Sequence, residues 1–328
     1  MINMSFRPKA FRPEWRNLLI IITLLALTGC KYPFDLETAD VKPIPVIKSY
    51  ICADSLVTID IRKAVPLSQI AKADSALKGP RYTLRCNGVQ VDCAQSMKGG
   101  GRMVLSAGAF RNGDKIELVF ESDDMETAVA GTVIPGAFPE HELKLCRSNN
   151  ADRNLKISYK DDPDTDDWYG AIVKWNGTQV QNVGLEDPQY NEVKDMHIIP
   201  PSGYDDLQIE PGAYSPIIVS FGGTYMYVWK DSDEEDNEYD LCYNYRAQWD
   251  VRIDEVKDVE IQCTLFRLSS EMYRHLFAEY DRQNNPFKDM GLSSPAFTYT
   301  NVKNGTGCLC GYSAVRSQWI EDTLFEQQ

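Results

Sequence analysis

From Pro45 onward, short stretches in which apolar and polar residues alternate are cut by residues that favour turns. VIKSYIC, LVTIDIRKAV, RYTLRC, VQVDC, RMVLS, KIELVFES and TAVAGTVI all follow this pattern and are rich in Val, Ile, Thr, Tyr or Phe. A period of two sends successive side chains to opposite faces, so each stretch predicts a strand with one buried side. Many short strands spaced by turn signals predict a sandwich or barrel. Asn87-Gly88 and Asn112-Gly113 flank such stretches, and positive φ costs little there, so they predict tight turns. This part reads as an immunoglobulin-like β-sandwich over residues 42–138, closed by the loop around Ile134-Pro135-Gly136 and Pro139.

Residues 139–328 read as a second β-rich domain. LKISYK predicts a strand, YGAIVKW and TQVQNV predict a hairpin around Asn176-Gly177, and SPIIVSF and TYMYVW another around Gly222-Gly223. YNYRAQWDVRI and VEIQCTLFRL predict longer strands. The stretch 184–214, with Pro188, Pro200, Pro201 and Pro211, predicts a long loop of the kind that often carries function. One amphipathic helix is expected over 269–283. Ser269 or Ser270 caps it, Glu271 suits its first turn, and Met272, Leu276, Phe277 and Tyr280 share a face. The expected fold class is mainly β, with two sandwich-like domains and one helix.

The first residues break this pattern. Arg7, Lys9, Arg12 and Arg16 stand against the single acid Glu14, and the uncharged run Leu18–Leu27 follows. That layout is an export signal, and its apolar run is about half of the roughly 20 residues a membrane-spanning helix needs. It leads into Leu27-Thr28-Gly29-Cys30, which resembles the lipobox of bacterial lipoproteins. The expectation is a signal peptide over 1–29, cleavage before Cys30, and acyl chains such as palmitate on that cysteine. Each buried methylene contributes about 0.8 kcal/mol, so two or three chains anchor a protein firmly. Residues 30–41, with Pro33, read as an extended tether. Lys31 with Asp35, Glu37 and Asp40 resembles the acidic export signal of Bacteroidetes surface lipoproteins. The expected location is therefore the outer membrane, on its surface or periplasmic face.

Charge narrows the list of partners. The chain carries 34 basic and 48 acidic residues, and loss of 1–29 removes four of the former and one of the latter, leaving a net charge of about −17. Nucleic acid and anionic lipid are poor partners for such a surface. Besides Cys30 there are eight cysteines, which allow 105 pairings in an exported chain, and disulfides and packed thiols both remain open. No paired CxxC motifs accompany them, so zinc is not expected.

Chemistry-bearing motifs are few. Asp162, Asp164 and Asp166 alternate as calcium ligands do, yet Asp167 replaces the glycine and Val173 the final glutamate of an EF-hand loop. The preferred reading there is a solvated acidic turn, and likewise for the acidic run 231–238. The histidines His141, His197 and His275 lie near no GxSxG or HExxH motif, so no catalytic set and no cofactor are expected. Trp168, Tyr169, Trp175, Tyr225, Tyr227 and Trp229 form either core or a stacking platform for a small glycan or peptide. Ser55, Ser75 and Thr323 stand in Asp-Ser/Thr-apolar triplets similar to Bacteroidetes O-glycosylation sites. A carboxylate hydrolase and a structural or adhesive surface protein are the alternatives to a binding role.

The C-terminal segment carries Tyr273, Asn285-Pro286-Phe287, Asn301-Val302-Lys303-Asn304-Gly305-Thr306-Gly307 and Gly311-Tyr312. This pattern resembles the closing signature of a Bacteroidetes outer-membrane lipoprotein family of unknown function, whose members are encoded beside TonB-dependent receptors. The resemblance extends over most of the mature chain and implies an accessory to such a receptor in nutrient uptake. Cys308 and Cys310 depart from the signature, where hydrophobic residues are usual, and imply a local bridge. Replacing the anchor residue, Cys30→Ser, is expected to abolish incorporation of labelled palmitate and to release the chain from the membrane fraction.

Overall fold

A computed structural model of the chain describes residues 42–65, 76–147, 153–161, 164–181, 186–197, 217–231, 236–243, 255–284 and 299–322. The signal, Cys30, the tether, Ser75, Asp162, residues 198–214, Asn285-Pro286-Phe287 and Thr323 lie outside the described residues.

Alternation becomes strand along both halves. The chain passes through β1 (Ile44–Cys52), β2 (Val57–Ala64), β3 (Arg81–Cys86), β4 (Val89–Val91), β5 (Ala94–Lys98), β6 (Arg102–Ala107), β7 (Lys115–Ser122) and β8 (Met125–Val133). It continues through β9 (His141–Arg147), β10 (Arg153–Lys160), β11 (Trp168–Gln181), β12 (Gln189–His197), β13 (Ile217–Phe221), β14 (Thr224–Lys230), β15 (Asp236–Tyr243) and β16 (Glu255–Leu268). The helix α1 (Ser270–Asn284) precedes β17 (Val302–Lys303), β18 (Thr306–Arg316) and β19 (Ile320–Glu321). The fold is mainly β, as the periodicity predicts.

One large sheet runs in the order β13-β14-β11-β16-β18-β1-β2-β6-β5, with β12 against β11 and β19 against β16. A five-stranded sheet, β17-β8-β7-β3-β4, and a three-stranded sheet, β15-β10-β9, accompany it. Ile47, Ile59, Leu105 and Leu309 of the large sheet pack with Leu84, Leu118 and Ala128 of the five-stranded one. Trp175, Ile261 and Leu265 pack with Leu155 and Ile157 of the three-stranded one, and Val315 joins them. Leu309 and Val315 are six residues apart on β18, which puts them on one face. The two small sheets therefore cover the same side of the large sheet, and α1 covers the other with Met272, Leu276, Cys308 and Cys310. The loop expected to separate the domains lies between β8 and β9, and the large sheet continues across it through β18 and β1.

The first and last parts of the body meet directly. β1 pairs with β18 in parallel, from Val46 opposite Thr306 to Cys52 opposite Tyr312. Here the Asn-rich signature acquires a physical meaning. Asn301 donates from Nδ2 to the carbonyls of Gly131 (2.9 Å) and Leu309 (2.7 Å) and accepts from the Leu309 amide (2.9 Å). Asn304 reaches the Thr127 carbonyl at 3.0 Å. At Gly307, φ is +104° and a Cβ would lie 2.0 Å from the Ile47 carbonyl oxygen, so glycine alone fits.

Asn87-Gly88 and Gly222-Gly223 form the expected hairpin turns with positive φ at all four residues. Asn176-Gly177 does not form one. β11 runs through it as a 14-residue strand, and the irregularity is a bulge in the pairing with β12 and β16. A Cβ on Gly177 would come within 2.9 Å of the Trp175 ring, so close ring packing explains that glycine instead of a turn. The expected loop over 184–214 contains β12, held by pairing from Lys174 opposite His197 to Gln181 opposite Gln189. Gly307→Ala is expected to lower stability by about 3 kcal/mol or more, read as a lower urea midpoint, because the clash is with the backbone of the central strand pair.

Candidate functional site

The helix-bearing face collects the polar and aromatic groups that the two sandwich cores leave unused. Ser269 starts α1, its Oγ accepting from the amides of Met272 and Gly311, both at 3.2 Å. Glu271 in the first turn accepts from Thr132 Oγ1 at 3.1 Å. These bonds satisfy the helix start and fix it to β18 and β8 at once. Met272 and Leu276 are buried, whereas Phe277, expected on the same face, is 47% exposed. Its position one residue beyond Leu276 turns it 100° around the helix axis, away from the sheet.

Beneath α1, Cys308 and Cys310 are joined by a disulfide. Cys52, Cys86, Cys93 and Cys263 are free thiols. His275 Nε2 is hydrogen-bonded to Tyr50 Oη at 2.9 Å, between helix and β1. Burial pushes the His275 imidazole below its ordinary value, opposed by Glu279 and aided by Lys48. Burial, and then Glu279, push the Tyr50 hydroxyl up to about 12.

Along α1 lies an open, largely apolar pocket of about 340 Å³ lined by Tyr273, Arg274, Phe277, Ala278 and Tyr299. Trp168 stacks on Tyr273 with ring centroids 5.7 Å apart and planes at 25°, and Tyr273 meets Phe277 at 6.1 Å. Burial, followed by Glu271, pushes the Tyr299 hydroxyl up, with Arg274 opposing, so at neutral pH it remains a protonated donor. Of the six aromatics singled out in the sequence, Tyr169, Trp175, Tyr227 and Trp229 are buried core. Tyr225 is exposed on the β13–β14 hairpin, and Trp168 alone contributes to this aromatic row. Alternation could not show this, because the other rings come from α1 and the segment before β17.

The two acidic runs, about 70 residues apart in sequence, meet in space. The Asp231 amide donates to the Asp167 carbonyl at 3.0 Å. Arg267 grips the Asp167 carboxylate with two bonds, one at 3.0 Å from Nε, and reaches the Ala137 carbonyl at 3.5 Å. Tyr169 donates to the Asp161 carboxylate, and burial with this bond pushes its hydroxyl far up. Of the calcium candidates, Asp166 is ion-paired with Lys230 at 2.6 Å and Asp164 is exposed. Among the described residues no group of three His, Cys, Asp or Glu side chains is placed to hold a metal ion. Ser55 is exposed in the β1–β2 turn, next to Asp54 with φ +57° and Leu56 at 86% exposure.

No family model and no curated protein matches the chain. Among solved structures it is similar to the Yersinia pseudotuberculosis adhesin InvE, at 10% identity over 69% of this chain and 55% of that one, with a TM-score of 0.20. It is also similar to a titin structure, at 8% identity over 69% of this chain and 91% of that one, with a TM-score of 0.22. The chain thus spans about half the length of the adhesin chain.

The His275–Tyr50 contact generates a pH dependence. An imidazole whose folded value lies below its ordinary 6.5 favours the folded state only while neutral, so its contribution is complete above that value and is lost as pH falls below it. Urea unfolding is expected to show stability dropping from pH 7 to pH 5, with a shallower drop in His275→Gln. At pH 7 that variant should itself lose about 1 kcal/mol, the worth of a typical hydrogen bond.

Proposed function

We propose that the chain is a lipid-anchored outer-membrane binding protein that works beside a TonB-dependent receptor in nutrient uptake. The observation that carries this reading is the export signal ending in Leu27-Thr28-Gly29-Cys30, a short tether ahead of a β body that begins at Ile44. The resemblance of the C-terminal signature to receptor-associated lipoproteins supplies the partner class.

The β body supports a binding role over a hydrolytic one. The carboxylates that come together at the acidic end are engaged, Asp167 by Arg267, Asp166 by Lys230 and Asp161 by Tyr169. Asp167 and Tyr169 are also buried, which leaves no room for a substrate between them. The pocket on α1, by contrast, is open and aromatic, as small-molecule and peptide sites commonly are.

The test is capture of the full chain, through a C-terminal tag, from native membranes in mild detergent. Recovery of a TonB-dependent receptor, together with slowed uptake of its nutrient on deletion, is the expected outcome. A lipidated chain that brings down no receptor and whose deletion leaves uptake unchanged would sink the proposal.

A further inference from the structure

A net charge of −14 by itself disfavours an anionic surface as partner, yet that charge is unevenly spread. The strands β1, β2, β5 and β6 together carry Lys48, Arg62, Lys63, Lys98 and Arg102 against the single acid Asp60. We infer that this cationic part of the large sheet docks on anionic phospholipid headgroups of the membrane to which Cys30 tethers the chain; the inference rests on the reading of the chain as lipid-anchored and names the surface that orients its body there.

The strand register puts four of the five cations on one face. Asp60 lies opposite Lys48, and Arg62, two residues further along β2, lies opposite Val46. Ile61 faces Met103, so Arg62 and Arg102 are neighbours, and Lys98 lies directly opposite Arg102. Residues opposite each other across a strand pair share a face. Arg62, Arg102 and Lys98 thus form a row across three adjacent strands about 4.8 Å apart, ending at β5, the last strand of the sheet. Gly99-Gly100-Gly101 joins β5 to β6 and puts no side chain in front of the row. Lys63 alternates to the other face, where Asp124 holds it at 2.6 Å.

One carboxylate cannot neutralise this face. Asp60 accepts from Arg62 Nε and Nη2, both at 3.0 Å, and is ion-paired with Arg102 as well. The two arginine side chains nevertheless stay accessible, 57% and 41% exposed, and a guanidinium has donors to spare for a phosphate. Lys48 and Lys98 are exposed, with no carboxylate partner among the described residues.

Position in the chain selects the membrane over other anions. The row stands beside Val46, two residues into β1, at the end of the body where the chain enters from the tether. Residues 30–41 span at most about 40 Å when extended, so the row and an anchor on Cys30 can reach one surface. Carboxylates gather at the other end. β18 starts opposite Val46 and runs to Tyr312, opposite Leu268, which pairs with Trp168 next to Asp166 and Asp167. That length of strand separates the two ends by about 20 Å, roughly twice the Debye length at 0.1 M salt, so those carboxylates do not cancel attraction at the row.

Residues 30–328 carrying Cys30→Ser keep every described residue and lack acyl chains, so their binding to vesicles reports the protein surface alone. At about 50 mM salt, phosphatidylcholine vesicles with about 30% phosphatidylglycerol are expected to sediment the chain, and pure phosphatidylcholine vesicles to leave it in solution. Lys48→Gln and Lys98→Gln should each weaken partitioning about fivefold, and the double variant about 25-fold, the worth of basic residues at an anionic surface. Lys115→Gln, on the five-stranded sheet and ion-paired with Glu117 at 3.1 Å, should change nothing. All these lysines are exposed, so the variants are expected to keep the wild-type urea midpoint. Equal binding to both vesicles, binding to neither, or phosphatidylglycerol binding that survives the double substitution would overturn the inference. So would self-association in solution that the same substitutions abolish without any vesicle binding, which would make the carboxylates of a second copy the occupant. Because no acyl chain takes part, a failure of lipidation or of receptor capture is read separately.

Discussion

The parallel pairing of β1 with β18 is the contact on which the rest of the body depends. It joins the first strand of the body to one of its last, and through it the strands of the N-terminal sandwich and those of the second half become one sheet. A parallel pair needs a crossover, and here the crossover is nearly the whole chain. Such a contact gives no local stabilisation until most of the polypeptide has been ordered. This explains the density of unusual residues around it. Gly307 lets the two backbones approach, and Asn301 replaces ladder bonds that an irregular segment cannot make. The Asn and Gly positions of the C-terminal signature are thus fasteners for the central strands.

Closing the sheet in this way determines where each face looks. One side is taken up by two small sheets and their cores, so it offers little to a ligand. The other side receives α1, and a single helix is too narrow to cover a sheet of this width. Its inner side buries Met272, Leu276 and the Cys308–Cys310 bridge, Tyr273 packs along its flank, and Arg274 and Phe277 are left exposed. The pocket is a consequence of that geometry, and Trp168, standing at the start of β11 on the helix side, completes its aromatic row. The acidic end follows a different logic. At one end of the second sandwich Arg267 holds Asp167 and Lys230 holds Asp166, while Asp164 is exposed. Dense charge there keeps strand ends soluble and disfavours edge-to-edge association.

By itself the sequence determined what depends on neighbours along the chain. Period-two alternation identified most strands, Asn87-Gly88 and Gly222-Gly223 identified their turns through positive φ, and Ser269 with Glu271 identified the start of α1. The expectation of an export signal and lipobox rests likewise on neighbours along the chain, from Arg7 to Cys30. Tertiary structure decided whatever depends on distance in space. Asn176-Gly177 had the composition of a turn, yet the Trp175 ring and pairing on both sides kept β11 extended through it. The stretch after residue 184 had the composition of a loop, yet pairing with β11 made part of it strand. The α1 pocket, lined from α1 and Tyr299 and backed by Trp168 of β11, has no periodic signal at all. Hydrogen bonding and side-chain direction are set locally, but which faces meet is set by strand order, and that order follows from the β1–β18 closure.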